Sequence, residues 1–227
     1  MTDLMIIFGS QSRLLEMLLD RGDTHFLRIF NKNVPPPREN CTDVNSEDAF
    51  IDAVENMGKA DAYQKIIFIG AAFKTQTSLF VHEKFENVLE SIDTNIVQYV
   101  RYANLLLPHM IKKKNGTFIY LSSFRSQETS RGVSLYAASK AFGEKFFEVL
   151  GKEYGRMGIT STSIRMGYFE GRMTDFIDED KKKKLTLSIG TGRLGSSTDL
   201  VRAIEFVISN PYANGGCIDL TGGINFE

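Results

Sequence analysis

Short apolar runs alternate with longer amphipathic stretches along almost the whole chain, and no other feature restricts the fold as much. Residues 4–8, 26–30, 65–69, 117–121, 159–164 and 217–220 read as strands, most of them short apolar runs. Between them, residues 14–19, 49–57, 86–113, 135–154 and 199–208 read as helices. Asn45 and Ser46 supply an N-cap for the second of these. The long stretch 86–113 carries apolar Val88, Ile92, Ile96, Val100, Leu105 and Leu106 and is stopped by Asn115-Gly116. Strand–helix alternation of this kind predicts an α/β chain: a doubly wound parallel sheet with helices on both faces. No internal repeat and no interdomain linker interrupts it, so residues 1–227 read as a single domain. Pro35, Pro36 and Pro37 make a stiff loop too short for a linker.

Composition removes several classes of function. Lys and Arg number 27 against 28 Asp and Glu, a net charge of −1, which excludes binding nucleic acid by bulk charge. No apolar run approaches the roughly 18 residues of a membrane span. The opening residues lack the basic and apolar regions of a signal peptide, so a cytoplasmic location is expected. Cys41 and Cys217 form no disulfide framework, and with three scattered histidines they give no metal signature.

A doubly wound sheet binds ligands beyond the carboxyl ends of its strands. The segments to inspect are therefore 9–13, 31–33, 43–44, 70–73, 122–123 and 165–173. Tyr136 and Lys140, four apart, share one helix face. A phenol with pKa about 10 is a poor acid–base at neutral pH. A neighbouring ammonium favours the phenolate and can make the pair a general acid–base. Chance Tyr-x-x-x-Lys pairs on helices are common, so the motif alone is weak. Ser123 ends a strand thirteen residues before Tyr136; its hydroxyl either holds a substrate oxygen or caps a turn. Asn95 lies mid-helix, where asparagine is disfavoured; it marks a kink, a buried polar role or a plain surface position. The Lys181–Lys184 charge run reads as a solvated face or as a site for an anionic ligand.

Taken together, Asn95, Ser123, Tyr136 and Lys140, spaced by 28, 13 and 4, resemble the short-chain dehydrogenase/reductase family. The likeness extends to Leu107-Pro108-His109-Met110, to residues 115–123, to Arg193-Leu194-Gly195, to 203–206 and to 216–223, nearly the whole chain. Asp43-Val44 resembles the family's aspartate-valine adenine site. The resemblance implies a Rossmann-like fold and hydride transfer between a nicotinamide cofactor and a small-molecule carbonyl or alcohol substrate. Tyr136 would be the acid–base, with Ser123 orienting the carbonyl oxygen. Lys140 would lower the tyrosine pKa and hold the nicotinamide ribose, and Asn95 would anchor a water of the proton relay. It also implies a homodimer or homotetramer, with helices 86–113 and 135–154 meeting across a two-fold axis. A non-catalytic relative that binds a dinucleotide or another ligand, and a lyase, isomerase or dehydratase using the same tyrosine, are the competing readings.

Four departures stand out. After the first strand only Gly9 remains of the glycine loop, and Gly22 follows thirteen residues later, so the turn is about four residues short. Ser10, Ser12 and Arg13 can substitute with hydroxyl and guanidinium contacts to a pyrophosphate, or they are an N-cap and a surface arginine. Asn31 and Asp43 lie twelve apart with three prolines between, so no crossover helix fits. Asn31-Lys32 stands where an acidic residue would bind a ribose hydroxyl; the basic Lys32 favours NADP over NAD, or merely faces solvent. Gly70-Ala71-Ala72 replaces an Asn-Ala-Gly run but keeps small residues beside the cofactor. Met166 replaces the usual proline, Gly167 survives, and Gly171 stands at a common threonine. Residues 168–190 mix Tyr168, Phe169, Met173, Phe176 and Ile177 with charges between glycines, the composition expected of a substrate lid.

Overall fold

Seven strands build the sheet, the central ones carrying apolar runs because a parallel sheet covered on both faces has no wet side. They are β1 (Thr2–Phe8), β2 (Thr24–Ile29), β3 (Cys41–Val44), β4 (Tyr63–Gly70), β5 (Gly116–Ser123), β6 (Ile159–Met166) and β7 (Gly216–Leu220). In the computed structural model they form one parallel sheet in the order β3-β2-β1-β4-β5-β6-β7. The structure describes residues 2–9, 12–30, 38–60, 63–75, 78–171, 174 and 178–224. The helices are α1 (Glu47–Ala60), α2 (Phe85–Ile92), α3 (Gln98–Lys113), α4 (Ser134–Tyr154), α5 (Glu179–Leu187) and α6 (Ser197–Ser209). This is the expected Rossmann-like α/β architecture. The short strand β3 is an addition to the six strands read from apolar runs: only Val44 of its four residues is buried, so it carries no run to see.

Alternation along each strand divides the core. Phe8, Phe68, Phe118 and Tyr120 point to one face and pack with Tyr99 and Tyr102 of α3 and Phe147 of α4. Ile7, Ile67, Ile69, Ile119 and Ile164 point to the other and pack with Leu15, Leu18 and Leu19 and with Leu200 and Ile204 of α6.

Two helices differ from the sequence reading. The segment after β1 is a 3₁₀ helix, Arg13–Asp20, rather than an α-helix. A 3₁₀ helix rises about 2.0 Å per residue against about 1.5 Å, so eight residues reach roughly 16 Å instead of 12 Å. The shortened crossover needs that reach to return along the sheet. The stretch 86–113 is not one helix either: a π-helical turn, Asp93–Val97, separates α2 from α3.

The strand order reverses between β1 and β4, where chain connections depart to opposite sides. That switch point opens a crevice at the carboxyl edge.

Candidate active site

Ser123 is the last residue of β5, and Tyr136 and Lys140 lie in the first two turns of α4, which packs on β5 and β6. The fold brings the three side chains together. The Tyr136 phenol is hydrogen-bonded to the Ser123 hydroxyl, and Ser123 Oγ also accepts from the Arg125 main-chain N–H at 3.3 Å. Burial pushes the phenol above its ordinary range, while the Ser123 hydrogen bond and the Arg125 charge pull it back in part.

Lys140 is 2% exposed. Its Nζ donates to the Leu121 carbonyl at 2.7 Å and lies 4.9 Å from the ring centres of Phe73 and Tyr120 and 5.8 Å from that of Tyr136. Burial in this aromatic cage brings the amine down to about 7, against a smaller upward pull from Glu144. Sequence spacing predicted a lysine that lowers the tyrosine pKa; in the protein without ligand, the burial that brings the two together acts first on the lysine itself.

Asn95 owes its place to the π turn. Its Nδ2 donates to the Lys74 carbonyl (2.9 Å) and to Ser139 Oγ (3.3 Å), and its Oδ1 accepts from the Lys74 N–H (2.7 Å). Ser139 Oγ in turn donates to the Tyr136 carbonyl at 2.8 Å. The mid-helix asparagine is thus buried and polar. It ties the segment after β4 to the turn of α4 that carries Tyr136.

The other candidate residues line the same edge. Gly9 directly follows β1 with φ +89°, and a Cβ there would stand 2.6 Å from Ala72 Cα. Its N–H is bonded to Ile29 and its carbonyl to Ser12. Gly9 is therefore required by the close approach of main chain to main chain, whatever the crevice binds. Ser12 occupies the N-cap position of the 3₁₀ helix without a side-chain capping bond, and Arg13 follows it. Gly70 ends β4 and Ala71 and Ala72 follow it, with the Ala72 carbonyl accepting from the Tyr99 hydroxyl. Gly167 directly follows β6. Asp43 and Val44 end β3. Val44 packs into the core, and both Asp43 oxygens accept from the buried Arg28, Nε and Nη2 each at 2.8 Å. Ser10, Asn31 and Lys32 lie outside the described residues, as do residues 172–173 and 175–177 of the expected lid.

Sequence reasoning missed a polar cluster directly beneath the site. Glu144, one turn beyond Lys140, accepts from Arg165 Nη2 (2.8 Å), from Ser122 Oγ (2.6 Å) and from Ser126 Oγ (2.6 Å). Arg165 also pairs with Asp219 of β7. Burial raises the Glu144 pKa, but the Arg165 fork and the two serines outweigh it and hold the carboxyl below its usual range. A lone arginine inside a strand run was the visible signal; the strand register that sets it beside Ser122 and Asp219 was not.

Donors at the edge fit a dinucleotide in kind: two hydroxyls and an amine at Ser123, Tyr136 and Lys140, and an uncapped hydroxyl and a guanidinium at the 3₁₀ helix N-terminus. Among the described residues no group of His, Cys, Asp and Glu is placed to hold a metal ion. Nor is any helix there long and apolar enough to cross a membrane.

Residues 39–182 match the sequence model of the short chain dehydrogenase family. The chain is 27% identical to a 3-oxoacyl-(acyl-carrier-protein) reductase of Haemophilus influenzae, over 82% of this chain and 76% of that protein. It is 24% identical to carbonyl reductase family member 4 of Xenopus tropicalis, over 80% of this chain and 73% of that one. Two solved structures each cover 98% of both chains. One is 4-hydroxyisoleucine dehydrogenase complexed with NADH (TM-score 0.85, 18% identity) and the other is ElxO with NADP bound (TM-score 0.84, 16% identity). At that identity the likeness is one of fold.

Proposed function

The chain belongs to the short chain dehydrogenase family, and on that premise we propose that it is an NAD(P)-dependent oxidoreductase acting on a carbonyl or alcohol substrate. The observation that carries this reading is the cluster of Ser123, Tyr136 and Lys140 at the carboxyl edge, backed by Asn95. In reduction Tyr136 gives its proton to the carbonyl oxygen, and in oxidation it takes that proton back. Ser123 orients the oxygen through the hydroxyl that already pairs with Tyr136. Lys140 leaves the Leu121 carbonyl to hold the nicotinamide ribose, and Asn95 anchors the proton relay behind it. The dinucleotide supplies the hydride when bound; the chain supplies geometry and the proton. NADP is preferred, on the basic Lys32 after β2. Gly9, Ser12 and Arg13 line the phosphate side, to which Ser10 and Asn31 are assigned on the sequence alone; Asp43 and Val44 line the adenine side, and Gly70, Ala71, Ala72 and Gly167 the nicotinamide side.

Residues 168–190 act as the lid. Its two ends are pinned: Tyr168 and Glu170 bond Gly195, and Gly190 and Thr191 bond Gly223 and Gly222. Between them α5 buries no side chain. The protein assembles as a homodimer or homotetramer through α2, α3 and α4, whose Phe85, Leu89, Val100, Phe142 and Val149 are exposed.

Two observations favour a second reading, a non-catalytic ligand-binding protein. The Asp43 carboxylate is already clasped by Arg28, and Lys140 is covered by Phe73. Titration with NADPH and NADH separates the two, and binding of neither ends the oxidoreductase reading. With binding established, Tyr136→Phe is expected to retain cofactor affinity and lose about 10²–10⁴ in turnover of a carbonyl substrate. Turnover kept at the wild-type rate removes Tyr136 from the mechanism.

A further inference from the structure

Arg125 stands two residues past Ser123, and the chemistry above makes no use of its side chain. Its Nη1 donates to Glu128 (2.6 Å) and Ser130 (2.7 Å), and its guanidinium carbon lies 4.9 Å from the Phe124 ring centre. Its Nη2 donates to the Tyr168 hydroxyl at 3.1 Å. Arg125 thus bridges the turn after β5 and the segment after β6, on the side of Ser123 away from the β1–β4 crevice. The Phe124 and Tyr168 rings meet edge to face at 4.9 Å, forming an apolar wall around the cation. The side chain is 25% exposed. A guanidinium has five N–H donors. Nε–H and one hydrogen of Nη2 carry no hydrogen bond among the described residues.

A carboxylate matches a guanidinium fork better than any neutral group does, and the match strengthens beside aromatic, partly desolvated walls. Glu128 and Ser130 hold the cation by Nη1, which leaves the other side for a ligand. We propose that Arg125, with the Tyr168 hydroxyl, binds a carboxylate of the substrate, so that the protein acts on oxo acids and hydroxy acids in preference to neutral carbonyl compounds and alcohols. The Arg125 charge also acts on the Tyr136 phenol, as it must if one substrate is to reach both. The inference rests on the oxidoreductase reading for the reacting carbonyl, but not for the binding of the anion.

Two measurements test it. In the first, 2-, 3- and 4-oxo acids of four to six carbons and their methyl esters are reduced with NADPH and NADH. The best acid is expected to exceed its ester by about 10- to 100-fold in kcat/KM, the range for a charged hydrogen-bonded pair. Arg125→Leu should remove that preference, bringing acid and ester to equal kcat/KM, because any change at the Tyr136 phenol falls on both alike. Arg125→Lys, which retains the charge without the fork, should fall between. In the second, pentanoate and methyl pentanoate are titrated into the protein without turnover, by ligand-observed NMR. Binding of pentanoate alone, lost in Arg125→Leu, is expected. Esters reduced as well as acids, or an acid preference untouched by Arg125→Leu, overturns the inference and leaves the oxidoreductase reading standing. Arg125-dependent pentanoate binding without reduction of any compound does the reverse.

Discussion

At the scale of single residues, Lys140 joins the chemistry of the site to the stability of the fold. Held near 7 by burial, the folded chain releases this proton from about pH 7 upward, while an unfolded lysine keeps it to about pH 10.4. Below pH 7 both states are charged and the penalty of burying the ammonium is present in full. Between pH 7 and 10 the unfolded state binds more protons, so this group makes stability rise with pH. Lys140→Met removes the penalty. Its stabilising effect is expected to be larger at pH 6 than at pH 10, read from urea denaturation at the two values. An equal effect at both would mean that the lysine titrates normally in the fold. Tyr136 and Lys140 were visible in the sequence because helix spacing is local. The Arg28–Asp43 clasp and the Glu144–Arg165 pair were not, because the first depends on strand register and the second on the packing of α4 against β6.

At the scale of elements, α4 lies so close to β5 that only glycine fits at Gly143: a Cβ there would run into the Tyr120 ring, with the hydroxyl oxygen at 2.5 Å. A mid-helix Gly→Ala change ordinarily stabilises by about 0.5–1 kcal/mol. Here overpacking reverses the sign, and Gly143→Ala is expected to destabilise by about 1–3 kcal/mol. Activity should fall with it, because Tyr120 lies against Lys140. A stabilised variant would refute the close approach. The proposed lid makes an opposite prediction. With no buried side chain of its own, α5 should exchange its amides quickly in the free protein and slowly with cofactor and substrate bound. Equal protection in both states would make it a fixed surface helix. The 3₁₀ helix after β1 and the π turn at Asn95 were hidden from periodicity. Helical spacing in a short window does not distinguish helix types, and both depend on how far the chain must reach to its next strand or bond.

At the scale of the whole molecule, exposed apolar residues of α4 and α2 lie together, apart from others such as Met17 and Phe206. Phe142, Phe146 and Val149 follow each other along α4, with the Phe142 and Phe146 rings stacked at 5.8 Å, and α2 with Phe85 and Leu89 packs beside them. Such a face suits the proposed assembly of copies. Scattering at micromolar concentration is expected to give two or four times the 25.5 kDa chain mass. Phe142→Glu should reduce it to one chain. A wild-type mass of one chain would contradict the assembly.

The chain's own order of residues determined the strand–helix alternation, the parallel doubly wound sheet and the Ser-Tyr-Lys site. The first two rest on local periodicity, the third on spacings that resemble those of the family. Tertiary structure alone decided β3, which is too exposed to carry an apolar run. It also decided that Gly9 serves main-chain packing against Ala72, that Phe73 and Tyr120 enclose Lys140, and that Arg125 reaches Tyr168. These contacts join residues 43 to 67 positions apart, except for the nearer Tyr120–Lys140 pair, which spans a strand and a helix. The sequence carries both partners of each contact; the packing of helices on the sheet brings them within reach.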